Sequence, residues 1–432
     1  MKHPMLAMAK IGIVALASIL PVGCSAATGP TVVQANSPTS SAHSAPPSGT
    51  PAGAPVVTHG VERDRADVPW PQVGPGWTLA MWSPVTPRRP GEQPAPGEPS
   101  SDTADTTLFL VDPRTGDRYP ITTFTPDEHD PRLVDWSGDG GYALFTQGAD
   151  AISVDLHTGE RTVVPVHGTP AYTRPGGKAL RVSTSFNGDE PGTLMRISLS
   201  GNEQLRYATG DLGGAGQFSG DYLESPDGTQ LVLGTANLGN EIVPRSDNSL
   251  VVMSNDGSII RTLPVPVPKA YCAPVKWWKP MVVLAHCTAE GSAAEQLWTI
   301  PLDGSAATAL TALNAHDDQP GFEGNYGNWN AYEVPSGIFL PTAGACGTSF
   351  VSRLTPDGHT SRVDIPGLGD STDLAGVSGD KLLVVGQTGC GGGTSLVTYD
   401  PVANTSTVLL GPPINGGGVT GGRVFPADGF PR

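Results

Sequence analysis

Leu108-Phe-Leu-Val-Asp-Pro-Arg-Thr-Gly-Asp-Arg118 and, further on, Ile152-Ser-Val-Asp-Leu-His-Thr-Gly-Glu-Arg161 share one pattern. Each is an apolar, partly β-branched run, a polar turn ending in Gly, and the start of a second run. Runs of this kind bounded by Asp, Pro, Thr and Gly read as β-hairpins. The turn glycines Gly116 and Gly159 stand roughly 40 residues apart, and a period of about 40–50 residues with four strands per unit is the mark of a β-propeller.

The beat continues to the end of the chain. Ser198-Leu-Ser-Gly-Asn202, Ser254-Asn-Asp-Gly257, Pro301-Leu-Asp-Gly304, Thr355-Pro-Asp-Gly358 and Asp400-Pro-Val-Ala-Asn404 fall where the first two copies predict, each between strand-like runs. Upstream of each hairpin lies a second, most visible at Trp136-Ser-Gly-Asp-Gly-Gly141 and Glu224-Ser-Pro-Asp-Gly-Thr229. One unit is therefore four antiparallel strands. The first unit lacks its front strand, and Gly418-Val-Thr-Gly-Gly-Arg-Val-Phe425 at the C-terminus is placed to supply it. The expected fold is all-β: a propeller of seven four-stranded blades, closed by a C-terminal strand that completes the first blade and removes exposed edges.

The Trp136-Ser-Gly-Asp-Gly140 and Ser225-Pro-Asp-Gly228 turns resemble the W-S-P-D-G turns of TolB-like (PD40/WD40-like) propellers, which occur in the periplasmic Tol protein and in bacterial envelope lipoproteins. Only the second turn carries Pro. The resemblance implies the architecture and an envelope setting. It implies no ligand, because Gly and Asp serve the turn itself. Serine peptidases use similar propellers, but no G-x-S-x-G segment is present.

The first residues read as a targeting segment. Lys2 and Lys10 precede Ile11-Gly-Ile-Val-Ala-Leu-Ala-Ser-Ile-Leu20, too short a run to span a bilayer, and Pro21-Val-Gly-Cys24 follows. This resembles a bacterial lipobox with Pro21 where Leu is usual. It implies a lipoprotein signal peptide over 1–23, a palmitate-type lipid on Cys24, and anchoring to the cell membrane. An ordinary secretory signal is the alternative, and both place the mature chain outside the cytoplasm. Residues 24–70, rich in Ser, Thr, Pro and Ala, are expected as a disordered tether, with the propeller over 71–432.

Gly 56 and Pro 43 fit short strands and tight turns, and a net charge of −16 argues against nucleic acid as a partner. The expected partners are the membrane, through the lipid, and an envelope protein or glycan, met by a monomer. Four cysteines remain after Cys24, an even number in an exported chain. Cys272 and Cys287 flank the turn at Lys279-Pro280 and would face each other across a hairpin; Cys346 and Cys390 follow the second strands of the sixth and seventh blades. The expected disulfides are therefore Cys272 with Cys287 and Cys346 with Cys390.

In a propeller, the loops joining second to third strands and those joining blades emerge on one face, opposite the tight turns. The long segments fall on that face, and binding concentrates where loops vary. The richest runs from His316 to Asn330: His316, Asp317, Asp318, Phe322, Glu323, Tyr326 and Trp329 are the candidate ligand-binding residues, rings to stack on a sugar beside groups that bond hydroxyls. The same carboxylates could hold Ca²⁺, though no D-x-D-x-D-G loop occurs and no cofactor is expected. Glu241 and Asp247 add acidity on another loop. His157 reads as a surface turn residue and His286 as packed. No H-E-x-x-H, phosphate loop or dinucleotide fingerprint occurs, and no catalytic residue is assigned. The sequence reads as a non-enzymatic binding or scaffold propeller acting through its loop-rich face. The alternative is a propeller enzyme acting on carbohydrate with carboxylates in its channel.

Overall fold

The computed structural model describes residues 56–57, 60–86, 96–128, 131–187, 190–236, 249–266, 270–289, 295–313, 329–343, 349–388 and 393–426. A short strand, β1 (Val56–Val57), comes first. Blade 1 takes β2 (Thr78–Ser83), β3 (Thr106–Val111) and β4 (Arg118–Phe124). Blade 2 is β5 (Arg132–Trp136), β6 (Tyr142–Gln147), β7 (Asp150–Asp155) and β8 (Arg161–Pro165). Blade 3 is β9 (Thr169–Tyr172), β10 (Ala179–Ser183), β11 (Leu194–Ser198) and β12 (Glu203–Arg206). Blade 4 is β13 (Gln217–Glu224), β14 (Gln230–Ala236), β15 (Ser249–Ser254) and β16 (Ile259–Pro264). Blade 5 is β17 (Ala270–Lys279), β18 (Val282–Ala289), β19 (Glu295–Pro301) and β20 (Thr308–Ala309). Blade 6 is β21 (Tyr332–Val334), β22 (Gly337–Ala343), β23 (Ser349–Leu354) and β24 (Thr360–Arg362). Blade 7 is β25 (Thr372–Ser378), β26 (Lys381–Gln387), β27 (Thr394–Asp400) and β28 (Thr405–Leu410), and β29 (Gly418–Val424) ends the order.

Seven sheets result, and β29 pairs antiparallel with β2, from Thr78 opposite Val424 to Ser83 opposite Gly418. The C-terminal strand completes blade 1, as the odd strand in the sequence requires. Alternation along the strands turns apolar side chains to both faces of each sheet, so each blade packs on two neighbours. The described core accordingly divides into one cluster per seam. Leu79, Leu110, Trp136 and Phe145 fill the seam between blades 1 and 2, and Val111, Leu396, Leu410 and Val419 the seam between 7 and 1. Among the described residues the seam between blades 5 and 6 is thinnest, with Val275, Leu284, Leu297, Ala331 and Leu340 buried.

The tight turns use two chemistries. In one, a Ser or Thr hydroxyl donates to an Asp two residues on: Ser137 to Asp139 at 2.7 Å, Ser225 to Asp227 at 2.5 Å, Thr355 to Asp357 at 2.5 Å. That Asp then accepts a backbone N–H beyond the glycine, as Thr229 N donates to Asp227 at 3.0 Å. In the other, Asp155 and Asp400 open the turn and each accept two backbone N–H groups, from His157 and Thr158, and from Val402 and Ala403. The chain then passes through positive φ at Gly159 (76°) and at Asn404 (51°). Asn tolerates this better than other side chains, which is why the seventh copy can dispense with glycine.

Cys272 and Cys287 stand opposite each other in the β17–β18 ladder and form a disulfide. Cys24, Cys346 and Cys390 lie outside the described residues.

The segment ahead of blade 1 differs from the expected tether over 24–70. β1 pairs in parallel with β28 on the rim of blade 7, Val56 opposite Thr407. Further on, Glu62 bridges Arg118 of blade 1, and Arg63 N donates to Arg118 O at 3.0 Å. Val61 N and Arg63 Nε donate to the Asp117 carboxylate at 3.0 and 2.6 Å, and Arg65 Nη1 to Ile121 O at 2.9 Å. Trp70 stacks on His157 of blade 2, ring centroids 3.8 Å apart, so this turn histidine is a packing partner while still half exposed. Ordered chain thus begins before residue 71, as a strap across three blades.

Candidate functional site

The first strand of each blade lies innermost, with its apolar side chains turned into the seams on either side. Five of these strands, β5, β13, β17, β25 and β29, shift register against their neighbour. Such bulges bend a strand and re-aim its side chains. The bulge in β5 falls between Leu133 and Asp135 and turns the Asp135 carboxylate toward blade 3. There it accepts two bonds from Arg174, at 2.9 and 3.2 Å, and one from Tyr172 N at 2.7 Å. Burial alone would lower the Arg174 guanidinium, and Asp135 outweighs it, so the group is held above its ordinary value.

A second latch joins blades 3 and 4. Arg181, fully buried, donates to Glu224 through Nε at 3.0 Å and Nη2 at 2.8 Å, to Asn255 Oδ1 at 2.8 Å, and to the Tyr207 hydroxyl. Burial opposes its charge, and the Glu224 hydrogen bonds overcome it. Blades 4 and 5 are tied by Tyr271 Oη donating to Asp221 at 2.5 Å and Trp277 Nε1 to Glu224 O at 2.8 Å. These groups satisfy one another and hold the ring.

Across the axis, where blades 6, 7 and 1 meet, Asn330 donates to the Tyr332 hydroxyl at 3.3 Å and Thr394 to Val419 O, while among the described residues no ion pair reaches the Arg423 guanidinium or the Asp373 carboxylate. A cavity of about 400 Å³ opens toward the loop-rich face between Tyr332, Asp373, Ala375, Gln387, Thr394, Gly421 and Arg423. A narrower space of about 140 Å³ shares Tyr332, Ala375 and Arg423 and continues to the tight-turn face between Gly76, Gly379 and Pro426. Burial lowers the Arg423 guanidinium, with Asp135 and Tyr332 opposing. Water reaches Asp373 from the channel, yet the walls crowd its other sides; that crowding raises its carboxyl, and Arg423 opposes the rise. No ion pair joins the two. Beside them the Lys276 ammonium sits 3.9 Å from the Tyr332 ring centroid.

A larger groove, about 1020 Å³, runs between blades 5 and 6 on the tight-turn side. Its charges are occupied: Arg353 donates to Ser336 O at 2.5 Å and Asp357 accepts from Thr355. The groove is where the short β20 and β24 leave the outer rim thin.

Of the residues singled out in the sequence, Trp329 is 43% exposed at the start of blade 6. His316, Asp317, Asp318, Phe322, Glu323 and Tyr326 lie outside the described residues, as do Glu241 and Asp247. His286 is mostly buried, 3.7 Å from Glu295. Among the described residues no three His, Cys, Asp or Glu side chains gather as metal ligands. Sequence reading missed Arg423, Asp373 and Tyr332. Its one usable signal was that β29 is the closing, hence innermost, strand.

The molecule is a seven-bladed β-propeller. No protein-family model matches the chain, and no curated protein matches its sequence. Among solved structures, a putative TolB from Agrobacterium tumefaciens is 14% identical, TM-score 0.39, over 66% of this chain and 88% of that one. Hydrazine synthase of Kuenenia stuttgartiensis is 15% identical, TM-score 0.42, over 64% and 79%. A puromycin-hydrolyzing peptidase of Mycobacterium tuberculosis is 15% identical, TM-score 0.45, over 84% of this chain but only 55% of the peptidase. TolB propellers thus stand among its structural neighbours, at a likeness that speaks of fold alone.

Proposed function

We propose that this chain is an exported propeller, lipid-anchored at Cys24, that binds an envelope protein or glycan through its loop-rich face without catalysing a reaction. The observation that carries the reading is the channel mouth. At that face a cavity of about 400 Å³ opens on Arg423 and Asp373, which no ion pair holds among the described residues, while the opposite face carries tight turns whose aspartates are bonded within their own loops and the groove of about 1020 Å³, whose Arg353 and Asp357 are bonded too. The Cys272–Cys287 bond supports an oxidising compartment. Glycoside cleavage uses two carboxylates, and the described lining of the mouth offers one, Asp373. That favours binding over the carbohydrate-enzyme alternative.

A photo-crosslinking side chain at Gln387, on the loop-rich face, should trap a partner in intact cells, and one at Val402, on a tight turn, should not. The reverse pattern refutes the reading. Cys24→Ala should shift the protein from the membrane to the soluble fraction; retention at the membrane removes the anchor from the proposal.

A further inference from the structure

The geometry points to a ligand class for the channel mouth: a small zwitterion of the amino-acid or short-peptide kind, its carboxylate on Arg423 and its ammonium on Asp373. This rests on the reading of the loop-rich face as the binding face. Two charges at the mouth have no ion-pair partner among the described residues, the Leu374 N–H being the one group that bonds the Asp373 carboxylate. Arg174 and Arg181 are each bound by both oxygens of a carboxylate. The Arg423 guanidinium makes no hydrogen bond or ion pair with any described residue, although the chain carries a net charge of −16. Asp373, of opposite sign, lines the same cavity and has no ion pair among the described residues either. Two complementary charges left apart across one space are each desolvated on the protein side, a cost that a ligand bearing both opposite charges offsets.

Shape and sign narrow the class. A guanidinium presents a planar fork of donors that matches a carboxylate bidentately. A phosphate dianion would set two negative charges beside Asp373, whereas a zwitterion meets each wall with its opposite. The volume lies near the lower end of the 300–1,000 Å³ usual for small-molecule sites, enough for an amino acid or dipeptide. Gly421 leaves room next to Arg423, since a Cβ there would meet nothing within 4 Å. The Tyr332 ring, with the Lys276 ammonium over its face, adds an aromatic edge to the same lining.

Calorimetry on the intact protein tests this with four probes: L-phenylalanine, the dipeptide Ala-Ala, N-acetyl-L-phenylalanine, which lacks the ammonium, and L-phenylalaninamide, which lacks the carboxylate. At least one of the first two should bind with a Kd below about 1 mM, and each blocked compound should bind at least about tenfold more weakly than phenylalanine or not at all. Amino acid against dipeptide decides the size of the ligand. Arg423→Gln should weaken the zwitterion and abolish the preference over the amide; Asp373→Asn should abolish the preference over the N-acetyl compound. A merely structural role for either residue would lower all affinities together and leave the preferences intact. If neither zwitterion binds, if a blocked compound binds equally well, or if both variants keep the wild-type preferences, the inference is wrong. Persisting Gln387 crosslinks in that case would leave the face reading standing and remove only the ligand class.

Discussion

At the scale of single residues, the charged groups divide into those the fold has consumed and those it has not. Arg181 and Glu224 belong to the first kind. Removing one member of a buried pair leaves the other uncompensated, typically at about 3–5 kcal/mol. Arg181→Met should therefore lower stability by that order in a denaturant melt, and Arg181→Met with Glu224→Leu should recover much of the loss. The turn aspartates are consumed differently. The Ser225 hydroxyl and the N–H and hydroxyl of Thr229 hold Asp227 below the ordinary carboxylate value, and Ser254 and Thr355 do the same for Asp256 and Asp357. A depressed carboxylate gives stability that is present above its unfolded pKa and lost as pH falls through the folded one. The melting temperature should thus hold at neutral pH and decline on acidification below about pH 4. Ser225→Ala should shrink the Asp227 share of that decline, and an unchanged pH profile would show that its hydroxyl contributes nothing. Asp373 runs the other way. Its carboxyl is raised by crowding, so the stability it leaves is greatest at low pH and falls as pH rises through its folded pKa, and Asp373→Asn should raise the melting temperature at pH 7.

At the scale of elements, the hairpin beginning at Leu108 and its repeats were legible because turns obey local chemistry: Asp, Ser, Gly and Asn at fixed offsets state their conformation without help from the rest of the chain. The closing role of β29 was legible for a topological reason, since a strand left over at one end and missing at the other can pair only with each other. Removing residues 418–432 should expose the inner edge of β2 and cost cooperative folding, read as a lost or broadened unfolding transition. The Cys272–Cys287 pair was legible from the hairpin that brings it together. It closes a loop of separation 15, for which chain-entropy reasoning gives about 3 kcal/mol; replacing both cysteines by Ala should lower stability by that order. The channel mouth was not legible. Tyr332, Asp373 and Arg423 come from three blades, Asp373 and Arg423 on strands with bulges whose position no short-range pattern announces. The strap was missed because residues 60–72 attach through hydrogen bonds, one aromatic stack and two isolated apolar residues, Val68 and Trp70, that form no period a sequence would display.

At the scale of the whole molecule, stability is distributed over the seams, and they are unequal. Trp136 and Phe145 anchor the seam between blades 1 and 2, where Trp136→Ala should cost about 3–5 kcal/mol. Among the described residues, the seam between blades 5 and 6 has the fewest buried side chains, and a groove lies at its rim. Local opening follows the thinnest packing, so amide protons of β19 and β22 should exchange before those of β3 and β6 in native-state hydrogen exchange. Faster exchange in blades 1 and 2 would contradict this ranking.

The strap gives the ring a mechanical character. Tension entering along the N-terminal chain meets β1 on the rim of blade 7, then the bonds from Val61, Arg63 and Arg65 to blade 1, before it reaches β2 and the strand pair that closes the circle. A propeller held by that end is gripped by its outer edge on both sides of its own clasp, so a pull is spread over two blades instead of unzipping one. In an optical trap, deleting residues 1–72 or breaking the grip with Asp117→Ala should lower the force at which the first blade peels away.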